Sequence, residues 1–321
     1  MYFGGQHSNK PILLTGGHRS GSTWVGKIIA RSDFIGYIEE PFNLYHRPGI
    51  CKAQFDYWFT YVCENNALRY RDALAATLEF NYQLSEELKM IKNPKDIARL
   101  LKDYFIFNRY RYFNKRPLMK DPIAVFSAEW LANEFNMDVI VLIRHPAAFA
   151  GSLKQGVGSW SYPFIHLLQQ PLLIKHYFNE FEAQIKEFSH EDKDIIDQAI
   201  LLWNIIHCTI AKYQEKYPNW IFIKHEELSS DPVSGFAKIF NSLNLPYTQK
   251  IKNTVIEYSL DSSGKSSSKG LRRDSRTNIK SWQYRLTLAE IERIKKGTEA
   301  VFNRFYDGSD WLTNIATEEK M

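Results

Sequence analysis

The residues that most constrain this chain are Pro11–Arg31, PILLTGGHRSGSTWVGKIIAR. A short apolar run, Ile12-Leu13-Leu14, lies between Pro11 and the pair Gly16-Gly17, and its length and bounds predict a buried strand. The turn that follows, Gly16-Gly17-His18-Arg19-Ser20-Gly21-Ser22-Thr23, is rich in Gly and Ser. Beyond it Trp24, Val25, Ile28 and Ile29 recur at helical spacing. Strand, tight polar loop and helix in that order gather backbone N–H groups at a helix N-terminus, which favours a phosphate or another oxyanion. A glycine-rich turn with no ligand is the plainer reading of the same residues.

The loop nearly matches that of a nucleoside-triphosphate site and then departs from it. Gly16 and Gly21 have the required spacing, but Ser22-Thr23 stands where Lys followed by Ser or Thr is needed. That Lys reaches the β- and γ-phosphates, and the hydroxyl after it holds Mg²⁺. Here the cation is Arg19, three positions earlier, so the loop suits a 5′-phosphate better than a magnesium triphosphate.

Composition narrows the partners. The 321 residues carry 41 basic and 36 acidic side chains, a net charge of +5, without the basic stripe of a nucleic-acid binder. A local basic site for one anionic ligand fits better, and no nucleic-acid partner is expected. Cys51, Cys63 and Cys208 are odd in number and widely spaced, which suggests packed thiols in a reducing compartment rather than a disulfide framework or a metal site. No secretory signal and no apolar run of about 20 residues is visible, so the expectation is a cytoplasmic chain with no transmembrane segment. Oligomeric state is left open.

Along the chain, strands are expected at Phe34–Ile38, Arg116–Lys120, Asp138–Ile143 and Trp220–Lys224. Helices are expected at Phe126–Phe135, Ala147–Gln155, Asp194–Tyr217, Asp231–Leu243 and Thr287–Phe305, the last opened by Thr287 with Glu290 as its capping-box partner. Residues 51–113 read as a helical, aromatic insertion and 156–190 as a partly helical insertion or lid. Residues 259–280, polar and rich in Gly, Ser, Lys and Arg, have the composition of a flexible linker. Strands alternating with helices predict one α/β domain with a mostly parallel sheet flanked by helices. Ligands in such sheets sit at the carboxyl ends of strands, which places Glu39 and Glu40 near the loop. Strand alternation would send those two side chains to opposite faces.

Arg19-Ser20-Gly21-Ser22-Thr23 resembles the 5′-phosphosulfate loop of sulfotransferases that use 3′-phosphoadenosine 5′-phosphosulfate (PAPS). Arg144, at the end of the clearest strand, and Ser152, eight residues on, are similar to that family's 3′-phosphate motif; a guanidinium and a nearby hydroxyl suit a phosphate. Lys269-Gly270 with Arg272 or Arg273 resembles the late loop that covers the same phosphate. Glu40-Pro41, Lys120-Asp121-Pro122, Arg144-His145-Pro146 and Asp274-Ser275-Arg276 look like bacterial and carbohydrate-type members.

The resemblance implies a P-loop, nucleotide kinase-like sulfotransferase fold over residues 1–321. It implies PAPS as co-substrate, adenosine 3′,5′-bisphosphate (PAP) as product, no metal, and a small-molecule or carbohydrate acceptor. The nucleotide would be held by Gly17, His18, Arg19, Ser20, Gly21, Ser22, Thr23, Arg144, Ser152, Lys269, Gly270 and Arg272. In-line displacement would use Glu40 as general base, with Arg19 and Lys120 as cations at the transferring group.

Other readings stand beside these. Glu39 competes with Glu40, which as a strand-end carboxylate would only orient Arg19. Lys120 and Arg144 each fit an ordinary ion pair. His18 is second choice as base, His145 reads as structural, and His46, His166, His176, His207 and His225 have no partner pattern. A P-loop small-molecule kinase and a non-catalytic PAP- or glycan-binding module are the rival functions.

Overall fold

The first apolar run becomes β1 (Ile12–Thr15), and all four of its residues are buried. The computed structural model describes residues 10–156, 162–259 and 279–311. Four more strands complete the sheet: β2 (Ile35–Glu39), β3 (Arg116–Lys120), β4 (Asp138–Ile143) and β5 (Ile221–Lys224). Their order is β2-β3-β1-β4-β5 and every pairing is parallel. Leu14 lies opposite Lys120 on one side and Ile140 on the other, and Glu39 lies opposite Lys120. The carboxyl ends of all five strands therefore share one edge.

The helices are α1 (Ser22–Ile29), α2 (Arg71–Leu78), α3 (Leu84–Leu88), α4 (Pro94–Tyr112), α5 (Ala128–Glu134), α6 (Pro146–Gly156) and α7 (Ile165–Leu168). After them come α8 (Pro171–Leu173), α9 (Glu182–His190), α10 (Ile195–Lys216), α11 (His225–Ser230), α12 (Pro232–Ser242), α13 (Gln249–Ser259) and α14 (Leu288–Phe302). The capping box of α14 forms as expected, with Thr287 and Glu290 exchanging backbone bonds.

Alternation along the strands splits the core into two layers. Leu13, Met119, Val139 and Val141 join the larger layer beneath α5, α6, α10 and α14, while Ile12, Leu14, Leu118, Ile140 and Leu142 join the smaller one beneath α1, α12 and α13. Burial on both faces is what a parallel sheet requires, and it explains why these strands read as continuous apolar runs. The stretch expected as a lid contributes Phe164, Leu167, Leu173 and Phe178 to the larger layer. Among the described residues no helix is long and apolar enough to cross a membrane.

Candidate active site

The loop after β1 keeps its shape through backbone that few residues adopt. Gly16, Gly17 and Gly21 have φ of 129°, 90° and 92°, and Arg19 sits at 61°. At Gly16 freedom of φ and lack of space coincide, because a Cβ there would stand 2.2 Å from the Leu142 carbonyl oxygen of β4. The Gly17 amide donates to the Pro122 carbonyl at 3.0 Å, and the Ser20 hydroxyl to the Gly17 carbonyl at 2.7 Å. Among the described residues no acceptor is bonded to the Gly21, Ser22 or Thr23 amides, which open α1. These are the donors that a helix start offers to an oxyanion.

One flank of the loop lies between β1 and β4. Strand connections diverge there, β1 leading toward β2 and β4 toward β5, which is where open α/β sheets bind ligands. Arg19 donates through Nε to the Ser152 hydroxyl and through a terminal nitrogen to the Ser152 carbonyl, both at 3.0 Å. Arg144, leaving β4, donates to the Arg19 carbonyl. The Arg144–Ser152 pair and the loop's Arg19 thus meet in one contiguous group, with the Arg19 guanidinium turned onto Ser152.

Burial pulls the Arg144 guanidinium below its ordinary pKa, and the neighbouring Arg19 and Arg285 cations pull the same way, against the Glu226 carboxylate. Arg144 Nε is buried and finds no partner among the described residues. A buried donor without an acceptor is costly, and a phosphate oxygen would relieve it.

His145, next in sequence, sits in an aromatic cage. Its ring packs against Trp282, Phe302, Tyr306 and Trp311 at centroid distances of 4.5–5.5 Å, and burial drops its pKa to about 3. His18 lies edge-on to Phe59 and Phe149, and burial followed by the Arg19 charge lowers it to about 4.

The other flank lies over β2 and β3. Lys120, 1% exposed, points its ammonium at Glu40 Oε1 at 2.5 Å and at Glu39 Oε1 at 3.6 Å. The second Glu40 oxygen accepts from the Asn43 amide at 3.1 Å. The expectation that Glu39 and Glu40 face opposite sides fails here. β2 ends at Glu39, and Glu40 takes a left-handed φ of 46°, so pleat alternation no longer governs its side chain. Beneath the pair, Asp121 accepts from the Phe42 amide at 2.7 Å and the Ile123 amide at 3.1 Å, and burial lifts its pKa to about 7.

A search with protein-family profiles finds no match, and a search of curated proteins finds none either. Among solved structures the chain is similar to the sulfotransferase domain of the Synechococcus PCC 7002 olefin synthase, at 14% identity and a TM-score of 0.45, over 96% of this chain and 99% of that one. It is similar to the sulfotransferase domain of the curacin biosynthetic pathway at 16% identity and 0.46, over 90% and 97%. A mouse sulfotransferase solved with PAP matches at 13% identity and 0.44, over 95% and 88%. These three structures are sulfotransferases.

Some neighbours of the site carry no signal in the loop motifs. Glu226 accepts from the His145 amide at 3.0 Å and from the Tyr306 hydroxyl at 2.9 Å, and burial raises its pKa. His225 lies against Gly21, where a Cβ would come within 2.4 Å of its ring, and Trp203 donates to the Arg144 carbonyl at 2.8 Å. Applying the strand-end rule to β5 as well as β4 would have marked His225 and Glu226. Lys269, Gly270 and Arg272 lie outside the described residues.

Proposed function

We propose that this protein transfers a sulfonate group from PAPS to an acceptor hydroxyl, with the nucleotide lying across the loop. One observation carries the reading: Arg19, Arg144 and Ser152 form one cationic, donor-rich group beside a loop whose lysine position is Ser22. A doubly phosphorylated adenosine needs two anion sites close together. The loop amides with Arg19 suit the 5′ end, and Arg144 with Ser152 suits the 3′-phosphate. Lys269, Gly270 and Arg272 complete that second site in this proposal. The donor supplies the sulfonate; the chain binds it, neutralises charge and moves a proton.

On the opposite flank Glu40 takes the acceptor proton. Lys120 and Asn43 hold both of its oxygens, which fixes its direction before the acceptor arrives. Lys120 then balances the charge that develops as the hydroxyl attacks and the bridging oxygen leaves. A glycan, glycolipid or other small hydroxylated molecule is the proposed acceptor.

The test is transfer of radiolabel from PAPS to a panel of glycan and small-molecule acceptors, alongside thermal shifts with PAP and with Mg·ATP. A PAP shift with label transfer supports the reading. A PAP shift with no transfer to any acceptor favours a binding module, and a shift with Mg·ATP alone favours a kinase.

A further inference from the structure

Helix α4 (Pro94–Tyr112) carries an apolar stripe on its exposed surface. Its inner side is fastened by buried Leu100 and Phe107 and by Arg47, which grips Asp103 on the helix and Glu87 on α3. The rest of its surface should be polar. Instead, starting about 60° round from Leu100, it carries Ile97, Leu101 and Phe105 at four-residue spacing, 46%, 47% and 66% exposed, with Tyr112 further along the same stripe at 83% and Asn108 as the polar residue within it. Phe113 beyond the helix, and Leu88 and Met90 ahead of it, are exposed as well. At 100° per residue these four helical positions fall within a sector of about 80°.

The shoulders of this stripe are basic. Lys95, Lys102 and Arg109 lie along one edge and Arg111 along the other, all exposed. The two acidic residues of the helix lie on the inner side, where Asp103 is held by Arg47 and Asp96 accepts from the Lys92 amide and the Asn93 side chain. An apolar ridge with cationic edges matches the boundary layer of an anionic bilayer, where acyl chains take up the ridge and headgroup phosphates face the edges. A protein partner matched to a ridge of this kind would need an acidic-rimmed groove; a second copy would bring like charges together along the same edges.

We propose that α4 is a membrane-docking helix that seats the protein reversibly on anionic lipid surfaces. The inference does not depend on the sulfonate-transfer reading, since α4 contributes none of the residues assigned to that site. Docking rests on two contributions, insertion of the Leu101 and Phe105 side chains and attraction of the basic edges. Each basic residue near an anionic surface is worth about fivefold in partitioning, and salt screens it.

The experiment is flotation of the full chain with vesicles of phosphatidylcholine alone and of phosphatidylcholine with about one-third phosphatidylglycerol. Binding to the anionic vesicles at least tenfold above the neutral ones, weakened by high salt, is expected. Phe105→Glu and Lys102→Glu/Arg109→Glu should each lower it by tenfold or more. Thermal unfolding of these variants, altered only at exposed positions, should match the parent. Absence of vesicle binding in the parent overturns the proposal. So does a parent dimer in light scattering that Phe105→Glu dissociates while vesicles are not bound, because that result assigns the ridge to a second copy.

Discussion

The two flanks of the β1 loop solve opposite electrostatic problems. On the β4 side, Arg19 and Arg144 are cations whose bonds go to a hydroxyl and to carbonyls, and with Glu226 as the opposing carboxylate a net positive charge and an unpaired buried donor remain. On the β3 side, Lys120 sits between two carboxylates and Lys27 pairs with the outer one, Glu39, so the cluster neutralises itself. The first flank is built to receive an anion from outside. The second holds a carboxylate in place, as the proposed proton transfer requires. The difference teaches that charge balance without a ligand can set a proposed binding cluster apart from a proposed catalytic one, even where both stand at the ends of neighbouring strands.

Substitutions should separate the flanks. The largest effect is expected for Glu40→Gln, which keeps an acceptor for Lys120 but removes the base: turnover should fall by about a thousandfold, in the range of lost general-base catalysis. PAP affinity, read by calorimetry, should change by less than about threefold, since Glu40 makes none of the proposed nucleotide contacts. Arg144→Ala should act in reverse, weakening PAP by roughly a hundredfold as a charged partner of a buried phosphate is lost. A comparable loss of PAP affinity in Glu40→Gln would break the comparison.

The flanks should also respond to pH with opposite sign. His145, backing Arg144, is held neutral by burial at a pKa of about 3. Below pH 6.5 the unfolded chain takes up a proton that the folded chain refuses, so this stability is complete above 6.5 and is lost on acidification, by about 1.4 kcal/mol per pH unit. Asp121, backing Lys120 and Glu40, is raised to about 7 by burial. The folded chain keeps its proton where the unfolded chain releases one, so this stability is complete below about pH 4 and is lost as pH rises toward 7. Urea midpoints across pH 4–8 should show a shallower acid limb in His145→Phe and a shallower decline toward neutrality in Asp121→Asn. The smallest effect is expected for Ser152→Ala: a fewfold loss of PAP affinity with an unchanged unfolding midpoint, because exposed Arg19 regains water.

Much of this arrangement was legible in the residues. The apolar runs of β1 and β4 and the Gly16–Thr23 loop fixed the centre of the sheet, because full burial on both faces leaves a continuous hydrophobic signature. Arg144 and Ser152 were readable from their places after a strand and within the following helix. The convergence of Glu39 and Glu40 was not, since period-two alternation holds only while the strand lasts and nothing local announces the left-handed turn at Glu40. Trp203 escaped for another reason: it meets Arg144 from α10, and such a long-range contact leaves no spacing to read, whereas His225 and Glu226 follow β5, where the strand-end rule reaches them. The outward apolar face of α4 hid within residues 51–113, where aromatic content alone does not separate core from surface.

In the proposed site two guanidiniums share one nucleotide beside a loop that lacks the triphosphate lysine. Calorimetric titration of the full chain with PAP and, separately, with Mg·ATP tests this most directly. PAP binding at micromolar strength, with Mg·ATP at least a hundredfold weaker, is the result predicted. Tighter binding of Mg·ATP, or PAP binding that Arg144→Ala leaves unchanged, would contradict it.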